Sequence, residues 1–416
     1  VKIIKVVGRE IFDSRGVPTV LCEITLKDGT FVSASVPSGA SVGKREAFEL
    51  RDLDDRLMGK GVLKAIHNVE HIIGPAIIGK EPDVFVIDSI MKEIDPSIDK
   101  RKLGANATLA VSMAVCRAQA KVEEIELFEL IASLYGADSI SLPFPLFNVL
   151  NGGAHVNNGF PIQEIMLVPI GAQNFRVSFE AAVTVFHELK KLLDESGQST
   201  AVGDEGGFAP RFKDDKEPFE FLVKAINNTG NEGLFTIALD VAASQLYDEI
   251  TEKYNWNGEQ KTSEELLTFY KMLVDNYPLY SIEDGFAEND IDGWKALFSQ
   301  FGDSLQIVGD DIFVTNVEEI KKGLEQEIAN ASIIKPNQIG TVTETLQAIS
   351  LCHQNNMNAI ISHRSGETID TFIADLAVGT SAGQIKAGGC SRGERIAKYN
   401  RLLSIEDMLT MSALDI

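Results

Sequence analysis

The sequence has few of the features that would tie it to a membrane, a nucleic acid or an oxidising compartment. Its four cysteines are Cys22, Cys116, Cys352 and Cys390, and no two form a C-x-x-C pair. Such spacing suggests neither a zinc site nor a dense disulfide framework, which fits reduced thiols in a cytoplasmic setting. No apolar run reaches membrane-spanning length, so no membrane insertion is expected. Val1 to Val7 is basic and apolar but breaks at Gly8-Arg9-Glu10, unlike the core of a signal peptide. Low-complexity segments and repeats of fixed period are absent. Positive charge is scarce too: 38 Lys and Arg stand against 61 Asp and Glu, for a formal net charge of −23. That balance argues against direct nucleic-acid binding and against anionic membranes. An anionic substrate would therefore need cations gathered locally, as metals, Lys or Arg.

What is present is an ordinary globular balance. Hydrophobic residues make up 44% and charged residues 24% of 416 residues, enough apolar material for a sizeable core. The first part reads as strands followed by helices. VKIIKVV, VPTVLCEITL and FVSASVP are β-rich runs, and Lys27-Asp28-Gly29-Thr30 joins the last two as a hairpin. Helical apolar spacing follows at 61–78, 82–94, 105–121 and 123–134. This order predicts an N-terminal α+β domain, a three-stranded sheet plus helices, over 1–136.

From 137 to 416 the pattern changes to eight short apolar strands: FPLFNVL, EIMLVP, FTIALD, LYSIED, LQIVGD, ASIIKP, NAIISH and GQIKAG. Helical stretches separate most of them from the third onward, which points to an α/β fold with a C-terminal eight-stranded α/β barrel. Asn151 to Pro161 is too short for a helical crossover, so the first two strands should form an antiparallel hairpin. Two helices, at 174–196 and 217–229, follow the second strand. The expected order is ββαα(βα)6.

In such barrels functional residues gather where the parallel strands end. Here the polar residues fall there repeatedly. Asp240 ends FTIALD, Glu283 and Asp284 end LYSIED, and Asp310 and Asp311 end LQIVGD. Lys335 ends ASIIK, His363, Arg364 and Ser365 follow NAIIS, and Lys386 sits in GQIKAG. The hairpin brings His155 to the same rim after its first strand, and Gln163 and Glu164 at the start of its second. One carboxylate after a strand is usually a turn residue or helix cap. Six consecutive strands with charged ends are hard to explain that way.

Asp240, Glu283 and Asp310 close three successive strands and should be neighbours. Three carboxylates together repel unless a cation sits between them, and oxygen donors without Cys or His favour Mg²⁺. Spacing leaves Asp284 and Asp311 open as alternatives. Lys335 and Lys386 should face the metal across the barrel, where positive charge and desolvation lower a Lys pKa and suit it to general-base work; the alternative is a salt bridge to a rim carboxylate. Arg364 with Ser365 has the donors for a phosphate. Gly203-Asp204-Glu205-Gly206-Gly207 sets Glu205 in a turn where backbone can approach a ligand, and Glu205 with Glu164 could share acid–base work. Val36-Pro37-Ser38-Gly39-Ala40-Ser41-Val42-Gly43 reads as a mobile lid or a plain linker.

These residues sit in stretches that resemble the enolases in the family's order along nearly the whole chain. They are DSRGVPTV, VPSGAS, LGANA, NGGAHVNN, QE, GDEGGFAP, LDVAAS, SIEDGFAEND, VGDD, KPNQIGT, SHRSGET, IKAG and SRGERIAKYN. The resemblance, bacterial in flavour, implies reversible dehydration of 2-phosphoglycerate to phosphoenolpyruvate in glycolysis and gluconeogenesis, with two Mg²⁺ per active site. It selects Asp240, Glu283 and Asp310 as ligands of the first Mg²⁺ and Ser41 as the lid serine at the second. It makes Lys335 the base at C2, and Glu205 beside Glu164 the acid that assists departure of the C3 hydroxyl. Lys386 becomes the cation beside the substrate carboxylate, Arg364 and Ser365 the phosphate contacts, and His155, Gln163 and His363 substrate-site residues. It further implies a homo-oligomer, a dimer or octamer, with room for a secondary surface or secreted pool and for surface or RNA-degradation partners. Departures from the family pattern are Val17, Ile369, Ala387 and a slightly short Arg51–Gly59. Two other readings compete: a superfamily racemase or cycloisomerase acting on a non-phosphorylated acid, and a non-catalytic binding protein on the same scaffold.

Overall fold

The computed structural model describes residues 1–39, 43–153, 156 and 158–414, with backbone alone for 412–414. Strands β1 (Ile3–Phe12), β2 (Pro18–Leu26) and β3 (Phe31–Ser35) form an antiparallel sheet in that order. Along β2, Val20, Cys22, Ile24 and Leu26 are all fully buried, the period-two alternation of a strand with one face on a core. Gly29 takes φ 92° in the hairpin turn, and Asp28 Oδ1 accepts the Thr30 N–H at 2.9 Å. The helix Ala105–Glu123 covers this sheet, and its run of buried small residues lets it lie close.

The segment 61–78 is not one continuous helix. It runs as Leu63–His67, a wide turn over Asn68–Ile73 and a last turn Gly74–Ile77. Pro75 has no N–H to give to the carbonyl four residues back, so the helix widens to pass it. The short segment 51–59 also shows its constraint. Leu53, Leu57 and Met58 all adopt positive φ, at 56°, 49° and 56°, a region costly for bulky side chains.

The second half is a closed barrel. Its strands are β4 (Phe144–Asn151), β5 (Glu164–Val168) and β6 (Thr236–Asp240). After three small strands outside the barrel, β7 (Tyr247–Asp248), β8 (Lys253–Trp256) and β9 (Glu259–Lys261), come β10 (Leu279–Glu283), β11 (Gln306–Gly309), β12 (Ala331–Ile334), β13 (Asn358–Ser362) and β14 (Gly383–Lys386). The barrel closes in the order β10-β11-β12-β13-β14-β4-β5-β6. Strand β5 runs antiparallel to both β4 and β6, and the other pairings are parallel. Helices Phe175–Glu195 and Glu217–Asn228 lie between β5 and β6, and each later barrel strand leads to a helix. This is the ββαα(βα)6 order expected.

The small sheet β7–β9 was not legible beforehand, because its strands are short and largely polar. It is pinned by two buried aromatics: Trp256 Nε1 donates to Asp215 Oδ2 at 2.6 Å, and the Tyr254 hydroxyl to Asp290 Oδ2 at 2.7 Å. The barrel strands are buried on both faces, as parallel strands sheathed in helices are. Two small apolar clusters stand apart from the main core: Leu146, Met166, Val168 and Ala238, and Val308, Ala331, Ile333 and Ile360. They fill the middle of the barrel, between the charged rim and a set of amide side chains, Gln306 and Gln384, at the other end. Because β5 is reversed, it brings its first residue to that rim, and Glu164 pairs across the sheet with Asp240, which pairs with Glu283.

Candidate active site

The rim gathers the charges that the strand ends foretold. Lys386 Nζ lies 2.8 Å from Asp240 Oδ2 and 2.9 Å from both oxygens of Glu283. It is also 3.2 Å from Glu164 Oε2, an ion pair without hydrogen-bond geometry that leaves this oxygen with no hydrogen bond among the described residues. Gln163 Nε2 donates to Asp240 Oδ2 at 3.1 Å and is steadied by Gln245 Nε2 on its Oε1 at 3.2 Å. On the next strands Lys335 donates to Asp310 Oδ2, and Gln338 Nε2 holds Asp310 Oδ1 at 3.1 Å.

Lowered lysine pKa values were expected for lysines facing a metal; paired with rim carboxylates, both lysines shift the other way. Burial alone would push Lys335 down, and Arg364 and Lys386 push the same way. The Asp310 carboxylate outweighs them, and the net direction is up. Lys386 is likewise raised: burial disfavours its charge, but Asp240 and Glu283 favour it more. Both lysines make salt bridges to rim carboxylates, which is the competing possibility for each. Glu283 sits well above the usual carboxylate range because of burial and then the neighbouring Asp240. Asp310 falls below its usual value, since Lys335 overcomes the cost of its burial.

Asp284 has a different task. Its Oδ1 accepts the Asp310 N–H at 2.9 Å and its Oδ2 the Asp311 N–H at 3.0 Å, so it clamps the end of β11. Among the described residues, two groups of side chains have ligand atoms within 4.8 Å of one another: Asp284 with Asp310 and Asp311, and Glu164 with Glu205 and His363. Asp240 and Glu283 are gathered instead around the Lys386 ammonium.

On the far side, Arg364 Nη1 and Nη2 fork onto Glu46 Oε2 and Oε1 at 2.9 and 3.3 Å. Glu46 Oε1 also accepts the Gly43 N–H at 2.9 Å, tying the stretch after the lid run to this arginine. Arg15 Nη1 reaches Ser365 Oγ at 3.5 Å. Glu205 is held from its backbone, where its carbonyl accepts the Gly389 N–H at 2.7 Å. Its carboxylate meets Asn148 Nδ2 at 3.5 Å and His363 Nε2 at 3.6 Å. Gly206 makes this packing achievable: at φ 92° a Cβ there would come within 2.8 Å of the Ser391 carbonyl. Ser41 and His155 lie outside the described residues.

One cleft is lined by Gln163, Glu164, Glu205, Asp240, Asp310, Lys335, His363, Arg364, Ser365 and Lys386. The sequence of strand ends therefore converges on one place. The family description "Enolase, N-terminal domain" matches residues 3–131, and "Enolase, C-terminal TIM barrel domain" matches 139–414. The chain belongs to the enolase family. A protein named Enolase from a Nitratiruptor species is 51% identical over 406 residues, covering 96% of this chain and 95% of its own. Among the described residues no helix is long and apolar enough to cross a membrane.

An enolase fold explains why reading strand ends alone missed some of the residues that hold the cleft's side chains in place. Glu46 comes from the first half of the chain, three residues past the lid run, and Gln338 from the turn after Lys335. Arg395 reaches in from the last helix, Gly393–Leu414. Gln338 and Arg395 lie inside the quoted stretches KPNQIGT and SRGERIAKYN, but they are not at strand ends and carry no rim signature. Glu46 had no signal beyond its closeness to the lid.

The donor set fits divalent metal ions. Six carboxyl side chains line the cleft against three full cations, Lys335, Arg364 and Lys386, among the described residues. The donors available to an ion there are mostly buried carboxylate oxygens, the preference of a hard cation. The Lys386 ammonium already sits between Asp240 and Glu283 as a positive charge would. Free space in the cleft is only about 30 Å³, room for roughly two waters.

Proposed function

We propose that the chain is a Mg²⁺-dependent lyase that reversibly dehydrates 2-phospho-D-glycerate to phosphoenolpyruvate. The observation that carries this reading is placement around the barrel. Lys335 follows β12 and Glu164 opens β5, four strands away in a closed barrel of eight. A base and an acid so placed flank a substrate on opposite faces. Dehydration needs that arrangement to take a proton from C2 and release hydroxide from C3 on the other side.

Lys335 is the base. With Asp310 engaged by a dication, Lys335 loses the partner that holds its proton, leaving burial, Arg364 and Lys386 to lower its pKa. Glu205, beside Glu164, is the acid at C3. Lys386 is the cation at the substrate carboxylate, and Arg364 and Ser365 hold the phosphate once Glu46 releases the guanidinium. Gln163 and His155 complete the substrate site. Asp240, Glu283 and Asp310 would hold one Mg²⁺, and Ser41 would help hold a second. When bound, these ions offset the negative charge that builds on the substrate carboxylate as its neighbouring proton leaves. A homo-oligomer in the cytoplasm is the assembly and setting proposed with this activity. The domain division proposed with it places a lid-bearing N-terminal domain at 1–136 and the catalytic barrel at 137–416.

Arg364 and Ser365 favour a phosphorylated acid over the substrates of a racemase or cycloisomerase. The sequence keeps every ligand and acid–base position named above, which weighs against a non-catalytic scaffold. The test is ultraviolet-monitored formation of phosphoenolpyruvate from 2-phosphoglycerate with Mg²⁺, with chelator and with Lys335→Ala. Activity that needs Mg²⁺ and Lys335 is expected. No turnover by folded, Mg²⁺-supplied protein would sink the reading.

A further inference from the structure

His363 lies between two groups that leave its ring little freedom. Arg395 Nη1 is 2.6 Å from His363 Nδ1. A guanidinium can only donate, so Nδ1 must be the acceptor. The Arg395 side chain is fully buried and fixed by three further carbonyls. Nη1 donates to Arg364 O at 2.6 Å, and Nη2 donates to Ser365 O at 2.6 Å and Asp204 O at 3.0 Å. It cannot turn away from the ring without abandoning them. The ring stays uncharged: burial first, then Arg395, Lys386, Lys335 and Lys398, hold its pKa well below the usual histidine value. A neutral imidazole whose Nδ1 accepts carries its one proton on Nε2. That nitrogen faces Glu205 Oε2 at 3.6 Å, just beyond hydrogen-bond range.

We propose that Arg395 is a positioning residue that locks His363 as the Nε2–H tautomer, which aims a fixed donor at Glu205 and bars Nε2 from metal ligation or base chemistry. One consequence discriminates between sites. Glu164, Glu205 and His363 stand close enough together to hold an ion. With its proton on Nε2, His363 has no lone pair to offer there, so this group lacks its third ligand.

The other consequence concerns the elimination half of the reaction, and it rests on the reading of Glu205 as the acid. As the C3–O bond breaks, its electron pair leaves with the hydroxyl, the electrons at C2 form the C2–C3 double bond, and Glu205 gives its proton to make water. A buried carboxylate is left behind. His363 Nε2–H closes on it and offsets the new charge without losing its own proton. The donor is aimed at charge that exists only late in the step, where a preorganised group has most effect.

The experiment is ¹⁵N NMR of histidine-labelled protein. The chain has six histidines, and the His363 signals are those lost in His363→Phe. The expected signature is protonated Nε2 and bare Nδ1 from pH 8 down to pH 5. A protonated Nδ1, or an imidazolium at pH 6, overturns the proposal whether or not the protein turns over 2-phosphoglycerate. The parent measurement stands even if substitutions at Arg395 do not fold. If Arg395→Met folds, His363 should lose the fixed tautomer and dehydration should slow by about 10–100-fold, while exchange of the C2 proton with solvent deuterium is nearly unchanged. Equal loss of exchange and dehydration, or an unchanged tautomer, also overturns it.

Discussion

Gln384 and Lys386 leave the same face of β14 two residues apart, near opposite ends of the barrel, and their surroundings differ in kind. At the closed end, Gln306 and Gln384 exchange hydrogen bonds, Nε2 to Oε1 at 3.0 Å one way and 2.7 Å the other. Asn358 Nδ2 adds a third to Gln306 Oε1 at 2.7 Å. These are neutral amides whose needs are met by one another. At the open end, Lys386 is shared among three carboxylates, Glu283 is pushed out of its usual range, and Glu164 Oε2 has no hydrogen bond among the described residues. One strand thus contributes to a satisfied floor and an unsatisfied rim. A polar group that is satisfied stabilises, whereas an excess of buried charge is held ready for ions that arrive from outside.

The most direct way to break this comparison is at the rim. Lys335→Ala should cut turnover by roughly 10²–10⁴-fold, the usual worth of a placed base, with little loss of thermal stability. Steady-state rates beside a melting curve would read both, and a large stability loss with modest rate loss would make Lys335 a structural ion-pair partner. Arg364→Lys keeps the charge but removes the fork, and should raise KM for 2-phosphoglycerate by about 10-fold or more with kcat less affected. An unchanged KM would remove Arg364 from the phosphate.

The floor should answer in the opposite sense. Gln384→Leu strands the Gln306 amide and should cost about 1–3 kcal/mol of stability, with kcat and KM close to the parent values. Urea unfolding and kinetics on the same preparation would show whether the two ends are independent.

The smallest effect sharpens the comparison away from the barrel axis. Asp88, on the helix Val84–Ile94, accepts both the N–H and the hydroxyl of Thr343 through Oδ2, at 3.0 and 2.6 Å. Burial pushes its carboxyl up from 3.8 to about 6, only partly offset by the hydroxyls of Thr343 and Ser112. Folding therefore takes up a proton between those values, and Asp88 costs stability as pH rises through that window. Asp88→Asn should gain on the parent by on the order of 1 kcal/mol between pH 4 and pH 7, read from urea midpoints. A difference that does not vary with pH would mean that Asp88 is ionised throughout.

The barrel was readable because apolar strands ending in charge are a compound signal. Each strand needs the apolar run to be buried on both faces, and each rim residue must follow directly after it. The opening hairpin was readable from loop length alone. What escaped lies where neither constraint applies. The β7–β9 strands run only two to four residues, too short for the Tyr254/Trp256 alternation to stand out as a strand. The break in 61–78 depends on one proline within an otherwise regular pattern. Glu46 and Arg395 act from segments far from the strand ends, so only the folded chain shows them meeting Arg364 and His363. The lysines' carboxylate partners were not legible because spacing can place a cation near the rim but not choose its partner. Desolvation argued for lowered pKa values, and direct pairing with Asp310, Asp240 and Glu283 reversed it.

The last helix carries a consequence for synthesis. All eight barrel strands are complete at Lys386, yet the side chain that fixes His363 arrives with Arg395. Chains are made from the N-terminus onward and their domains tend to fold as they emerge. A nascent chain halted just after β14 would hold every strand of a finished barrel and still lack the group that orders one side of its rim. Ordering of the site would then lag behind completion of the barrel's strands, so a partly made chain would hold the strand ends before the rim is settled.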